Sequence, residues 1–514
     1  MTTRSRQELR LLALTAIIPL GVASCVDGVP LEAPIEGPVA GDVEAIDDQA
    51  DEAAITASFG PSLLDRALRR RLRRAGVEPV ELPPPQDPAL VELGRNLFFD
   101  REIAGTRNIA CSTCHNPLTG TADGQSQSRG QGAIGLGPSR RGEGDLVGVI
   151  GPRVFVDGDG FEFFEFLPRN ALSLWNRGVP GFDVMFWDGR LEGNAEDGFV
   201  SPAGPDLTPQ NFANALALFS IFPITPDQEM RGFPGQDDRF GDANEIAGGG
   251  DGPFDPPPIG NGDFTTIWNL VTARIASPDS GYAELLDAAF PTRDPEDLDI
   301  TDLGAAMGAF QTEAFVALDT PFDRFLAGDN DAMSTAAKRG ALLFYGRANC
   351  ASCHSGGLLS DLDFHNIAAP QVGPGRPATA PLDIGRAETT GDPSDRFKFR
   401  TPPLRNVELE GPWFHNGAYA SLEDAVRHHL DPEGALATYD DSQIAFELIG
   451  TFMPELNDEL LSTLDPALGV RGRPLREREI QDLMAFLSAL TDPSSLNMFD
   501  VIPDSLPSGL LLAD

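Results

Sequence analysis

The chain has 514 residues, 38 Lys plus Arg against 78 Asp plus Glu, and a formal charge of −40. That balance excludes a nucleic-acid-binding surface, which needs many cationic side chains, and adhesion to anionic lipid through surface charge. Its length and 41% hydrophobic content suit a globular protein of several domains. With 54 Gly and 44 Pro, about a fifth of the chain against a usual ~12%, long loops are expected.

In chain order, Arg4, Arg6 and Arg10 precede an apolar run from Leu11 to Ala23. The run is shorter than the ~20 residues that span a bilayer, and it reads as a bacterial export signal. It ends Val22-Ala23-Ser24-Cys25, the pattern of bacterial lipoproteins, so residues 1–25 are expected to be a signal peptide and Cys25 an acylated anchor. Cleavage near Ala23 is the alternative. Residues 26–78 read as an acidic flexible linker followed by a basic stretch, Arg66–Arg74, taken as a solvated helix face. Docking on an acidic surface is the other use of that stretch.

The other four cysteines fall in two identical patterns, Cys111-Ser112-Thr113-Cys114-His115 and Cys350-Ala351-Ser352-Cys353-His354. C-x-x-C-H is the attachment motif of c-type haem. Two thiols at that spacing reach the two vinyl groups of one porphyrin, and the following histidine lies under the iron. A thioredoxin-like redox pair, a four-cysteine zinc site and structural disulfides are the alternatives. A redox pair does not need the histidine twice, and zinc would leave the matched histidines as coincidence. Leu93–Asp100 and Arg339–Tyr345 are similar apolar-periodic segments running into the two motifs, a weak internal repeat.

These motifs, with Phe186-Trp187-Asp188-Gly189-Arg190, Asp383-Ile384-Gly385-Arg386 and the run Phe397–His429, resemble the bacterial dihaem cytochrome c peroxidase and MauG family over roughly residues 85–492. The resemblance implies a mainly α fold: two cytochrome c-like haem domains with long loops and little β-structure. It places an N-terminal, peroxidatic haem domain at 79–325 and a C-terminal, electron-transfer domain at 326–493, with a tail at 494–514. Two covalently bound c-type haems are implied, on Cys111, Cys114 and His115 and on Cys350, Cys353 and His354. Trp187 matches a tryptophan between the haems. Asn170 matches the side-chain ligand of a Ca²⁺ ion whose other protein ligands, matching Glu410 and Pro412, are backbone carbonyls. The family usually has a small hydroxyl residue where this chain has Glu410.

No histidine lies between His115 and His354, so the N-terminal haem is expected to be five-coordinate or water-ligated, with Met185 or another methionine as the alternative ligand. Glu229, in Phe222–Met230, matches the family's distal-pocket glutamate and is the expected proton carrier for O–O cleavage. Where the family places methionine on the second iron this chain has His429, and position matching selects it over His428. An imidazole there lowers the potential relative to a thioether. His415 is expected near that haem and hydrogen-bonded; no ligand role is given to His365.

Helices are expected at Gly304–Ala317, Leu422–Leu430 and Arg476–Leu490, a hairpin at Val154–Phe166, and a mobile insertion at 232–262. The reading is an oxidoreductase that reduces hydrogen peroxide at the N-terminal haem with electrons from a small donor protein such as cytochrome c. A MauG-like oxidase or oxygenase acting on a protein or organic substrate, and a plain electron carrier, are the competing readings. The expected place is the periplasmic side of a bacterial membrane, the outer membrane if lipid-anchored; a homodimer is left open.

Overall fold

A computed structural model describes residues 62–131, 133–142, 154–156, 162–164, 166–204, 212–236, 238–248 and 258–512. The signal segment, Cys25 and the acidic part of the linker lie outside the described residues.

Helices dominate, and the strands are short. Six helices frame the site: α1 (Leu63–Arg74), α2 (Pro88–Phe99), α3 (Ile300–Ala314), α4 (Thr335–Phe344), α5 (Leu422–Leu430) and α6 (Glu477–Ser488). Side-chain oxygens cap five of the six at the start, the exception being α6. Ser62 caps α1 in a reciprocal box with Asp65, Asp87 caps α2 just before Pro88, and Ser334 and Ser421 cap α4 and α5. Among the described residues the largest sheet has three strands, Val184–Met185, Leu191–Asn194 and Gly198–Val200, all antiparallel. The expected hairpin is present as Val154–Val156 paired with Glu162–Phe164.

Two main apolar cores are built on the same plan. In the first, α2 crosses α3 where Gly94 meets the Ala306 carbonyl; a Cβ at Gly94 would lie 1.9 Å from that oxygen. In the second, α4 crosses α6 where Gly340 meets the Asp482 carbonyl, at 1.8 Å by the same measure. Phe310 and Phe486 sit at equivalent places beside these contacts. Each crossing pair precedes or follows its own C-x-x-C-H segment, so the weak repeat in sequence is a repeat in packing. Phe98, Phe99, Phe310, Phe315 and Trp175 form one aromatic cluster; Phe322, Phe344, Tyr345 and Phe486 form the other.

The segments that flank the two cores are exchanged between them. Residues 62–78, grouped with the flexible linker on sequence grounds, pack into the second core through Leu68, Leu72 and Val77. Asp65 pairs with Lys338 at 2.9 Å, and the Arg69 guanidinium lies 4.1 Å over the Phe325 ring. The arginines Arg66, Arg70, Arg71, Arg73 and Arg74 are on the exposed side. The tail returns to the first core: Met498 and Leu506 are buried there, Arg95 donates to the Val501 and Ile502 carbonyls, and Ser508 donates to Asp100.

The described part of 232–262 is not a loose insertion. Ile246, Ala247 and Ile259 are buried, and Ile259 N–H donates to the Ala247 carbonyl at 2.9 Å. Gly and Asp content gave the contrary expectation, and three apolar side chains anchor the segment.

Candidate active site: two cysteine–histidine cavities

Each C-x-x-C-H segment lines a separate large cavity. The N-terminal one, about 1000 Å³, is lined by Cys111, Cys114, His115, Trp187, Glu229 and Met230. The C-terminal one, about 1310 Å³, is lined by Cys350, Cys353, His354, Trp187, Arg400 and His429. The four cysteines are free of disulfides, and their split between two cavities removes a shared zinc site. Burial pushes the Cys111, Cys114 and Cys350 thiols up to about 12, the opposite of a reactive redox pair.

The two histidines are held alike. His115 Nδ1–H donates to the Thr121 carbonyl at 3.1 Å, and His354 Nδ1–H to the Leu359 carbonyl at 3.1 Å. That bond fixes the ring and leaves Nε2 free to bind metal. Burial lowers both to about 4, with His429 adding to the effect at His354, so both rings are neutral at pH 7.

Across the C-terminal cavity His429 faces His354, with ring centres 6.3 Å apart. A metal–imidazole bond is about 2 Å, and a ring centre lies roughly 1 Å behind its nitrogen. Two imidazoles on opposite sides of one metal therefore have centres ~6 Å apart. His429 Nδ1–H donates to the Ala425 carbonyl one turn back, at 2.8 Å, which leaves its Nε2 free. His428 is turned away and has both nitrogens engaged, with Tyr419 Oη and with the Ile367 carbonyl, each at 2.8 Å.

The C-terminal cavity also fits an anionic macrocycle. Arg400 is 1% exposed and lines the cavity. Its Nε donates to the Phe186 carbonyl, and its Nη2 is buried with no hydrogen-bond partner. A buried guanidinium without a carboxylate partner suits a propionate. His415 lines the same cavity, stacked on Phe399 with centres 3.6 Å apart. Its expected hydrogen bond is missing at Nε2, which is buried and unpartnered, 3.9 Å from Asp383. His365 sits between Asp361 (2.9 Å) and Asp465 (2.6 Å). Its bond to Asp361 leads the causes that raise it to about 11, so it stays an imidazolium.

In the N-terminal cavity His115 is the one histidine among the described lining residues. Met185, the alternative ligand from sequence, is instead fully buried in the first core, its sulfur 3.7 Å from Arg177 Nη1. Met230 lines the cavity in its place. Glu229 is carried on a one-turn π-helix, Asp227–Arg231, against Gly105 and Gly130, where a Cβ would strike the Arg231 and Gln228 carbonyls. Burial pushes the Glu229 carboxyl above its ordinary range, against the pull of Arg190 and Arg376.

Trp187 lines both cavities. It sits in the loop between Val184–Met185 and Leu191–Asn194, with Phe186 at φ 62° and Gly189 at φ 63°. Its Nε1–H donates to the Asn170 carbonyl at 3.0 Å. A buried ion network braces this loop: Arg169 binds Asp188 at 2.6 Å and both oxygens of Asp383. Burial opposes ionisation of Asp188, but Arg169 and Arg190 win and hold it well below the carboxylate range.

At the expected cation position, the Asn170 amide lies against the Pro412 carbonyl, and Asn170 Oδ1 is buried with no partner. Turning the amide over puts two oxygens toward one point, a donor set that suits a hard cation. The Glu410 side chain points instead to Ser173 and Arg177, and burial raises it to about 8.

Sequence reasoning missed Arg400, Arg376, Met230 and Gln311, all of which line a cavity. Arg400 had a signal, since it lies inside Phe397–His429, and so had Met230, which ends Phe222–Met230; Arg376 and Gln311 come from segments with no motif of their own.

The family model for di-haem cytochrome c peroxidase matches residues 88–331. Over that span the chain carries the dihaem cytochrome c peroxidase and MauG pattern. It is similar to the methylamine utilization protein MauG of Methylorubrum extorquens, 26% identical over 83% of this chain and 86% of that protein. It is also 26% identical to the cytochrome c551 peroxidase of Pseudomonas aeruginosa, over 65% of this chain and 70% of that one. In fold it resembles a MauG-like protein associated with microbial copper homeostasis, at TM-score 0.52 and 22% identity, over 83% of this chain and 97% of that one. The diheme peroxidase BthA from Burkholderia thailandensis matches at TM-score 0.51 and 20% identity, over 84% and 93%. The dihaem peroxidase family is one of oxidoreductases, and this chain is an enzyme of that kind. Two c-type haems go with the family.

Proposed function

We propose that this dihaem enzyme reduces hydrogen peroxide at the N-terminal site, with electrons passed from the C-terminal site and drawn from a small donor protein such as a cytochrome c. When bound, the haems supply iron redox chemistry, with peroxide reduction at one centre and electron storage at the other. The observation that carries the reading is the N-terminal cavity, where a half-buried carboxyl, Glu229, lines a space with one histidine among its described lining residues.

The residues divide the work. Cys111, Cys114, Cys350 and Cys353 would attach the macrocycles, and His115, His354 and His429 would bind the irons. Glu229 takes the first proton of peroxide and returns it to the leaving oxygen; its raised affinity for protons suits it to do both. Arg190 and Arg376 keep the cavity polar around it. Trp187 provides an aromatic path between the cavities. Asn170, with the Glu410 and Pro412 carbonyls, would hold a Ca²⁺ ion, which would steady the Asn170 carbonyl that accepts from Trp187. The protein acts on the periplasmic side of the membrane, held by a lipid on Cys25.

The test is rapid mixing of the fully oxidised holoprotein with peroxide, with and without reduced cytochrome c. Reaction of the oxidised form without prior reduction supports an open N-terminal centre. Reaction of only the half-reduced form contradicts it.

A further inference from the structure

Two of the chain's four tyrosines, Tyr419 and Tyr439, lie in a row beside the C-terminal cavity, their ring centres 5.5 Å apart. Tyr419 is buried. So is His428, whose Nε2 lies 2.8 Å from the Ile367 carbonyl. A carbonyl only accepts, so that nitrogen carries the ring proton and Nδ1 is bare. The Tyr419 hydroxyl, 2.8 Å from Nδ1, therefore donates to it.

A phenol bonded to a neutral imidazole can release an electron and a proton together. The hydrogen bond lets the proton leave with the electron, so no phenol cation is left in apolar surroundings. The electron has a short path. The Phe414 ring lies edge-on to His429, His428 and Tyr419, at centre distances of 5.4, 5.1 and 5.0 Å. One ring thus separates Tyr419 from the imidazole assigned to the C-terminal iron. On the far side Tyr439 is half-buried and leads toward solvent.

We propose that Tyr419 is a redox-active residue of this enzyme, serving the C-terminal haem. It rests on the peroxidase reading for its oxidant. Hydrogen peroxide takes two electrons and two protons and leaves as two waters. Tyr419 replaces one of the electrons lost by the haem pair: its O–H bond breaks, the electron crosses Phe414 to the oxidised C-terminal haem, and the proton moves to His428 Nδ1. An external one-electron reductant restores Tyr419 across the Tyr439 ring, and His428 returns the proton. The pair gives the enzyme a place to hold an oxidising equivalent when the donor protein is scarce.

The test uses the full-length holoprotein with both haems oxidised. One arm mixes it with hydrogen peroxide, freezes it within milliseconds and records electron paramagnetic resonance, with ring-deuterated tyrosine incorporated to identify the radical. A second arm omits peroxide and uses a photogenerated ruthenium(III) oxidant. A tyrosine radical is expected in both arms, retained in Tyr439→Phe and at least tenfold weaker in Tyr419→Phe, with slower formation in heavy water. The proposal is overturned if peroxide changes the haem spectrum without a tyrosine radical, or if Tyr419→Phe keeps the same signal. If peroxide leaves the haem spectrum unchanged, the peroxidase reading fails, and the ruthenium arm still decides the role of Tyr419.

Discussion

Replacing Gly340 by Ala tests the repeated packing that builds the two cavities. A Cβ there would lie 1.8 Å from the Asp482 carbonyl oxygen and 2.9 Å from Phe486 Cβ. Ordinary contact begins at 3.4 Å, so α4 and α6 must part by about 1.6 Å. The obstacle is backbone and cannot rotate aside, which puts the cost near the upper end of overpacking, about 3 kcal/mol. Better helix propensity returns up to ~1 kcal/mol, for a net loss of about 2 kcal/mol. In a cooperative unit of roughly 150–250 residues this lowers Tm by ~4–8 °C. Scanning calorimetry of the holoprotein measures it, with Gly260→Ala as control, since nothing lies within 4 Å of a Cβ at Gly260. The control should change stability by less than ~0.5 kcal/mol. Equal Tm values for the two variants would refute the crossing argument.

Five further outcomes follow from the site and the net charge. Glu229→Gln should keep both haems and lose roughly 10²–10⁴-fold in the peroxide step, about 2.7–5.4 kcal/mol; an unchanged stopped-flow rate removes Glu229 from the chemistry. Because burial raises the Glu229 carboxyl and the base acts ionised, the wild-type rate should rise with pH through a limb above the ordinary carboxylate range, and the Gln variant should lack that limb. Trp187→Phe should leave haem attachment intact and slow electron exchange between the centres by an order of magnitude, read as delayed optical change at the C-terminal haem. His429→Met should raise the potential of that haem, within the ~0.8 V span that axial ligands command; potentiometry showing no rise contradicts the ligand assignment. Turnover with a basic cytochrome should fall with added salt, since the charge of −40 steers a cation over long range; a flat salt profile ends that idea.

Chemistry with fixed local spacing was legible in the sequence. Cys111–His115 and Cys350–His354 define themselves, because attachment needs those residues at that interval. The boundaries of α5 were readable because Ser421 caps it and Asp431 follows it. Choosing between His428 and His429 by position gave the residue that faces the cavity, but the reason was out of reach: Ile367 and Tyr419, far and near in sequence, engage both His428 nitrogens. Arg376 and Gln311 could not be read because they reach the N-terminal cavity from segments whose folding is set by tertiary contacts. The exchange of flanking segments was hidden for the same reason. Leu68 and Leu72 show an amphipathic helix, but nothing in α1 says which core receives it. The described part of 232–262 was misread because composition outweighed three isolated apolar residues.

The account centres on an open N-terminal haem and a C-terminal haem held between His354 and His429. Low-temperature electron paramagnetic resonance of the fully oxidised holoprotein tests both at once. One high-spin and one low-spin bis-imidazole signal are expected, the low-spin signal lost in His429→Ala and kept in His428→Gln. Two low-spin signals, which would point to a second ligand such as Met230 on the N-terminal iron, or a low-spin signal that survives His429→Ala, would contradict it.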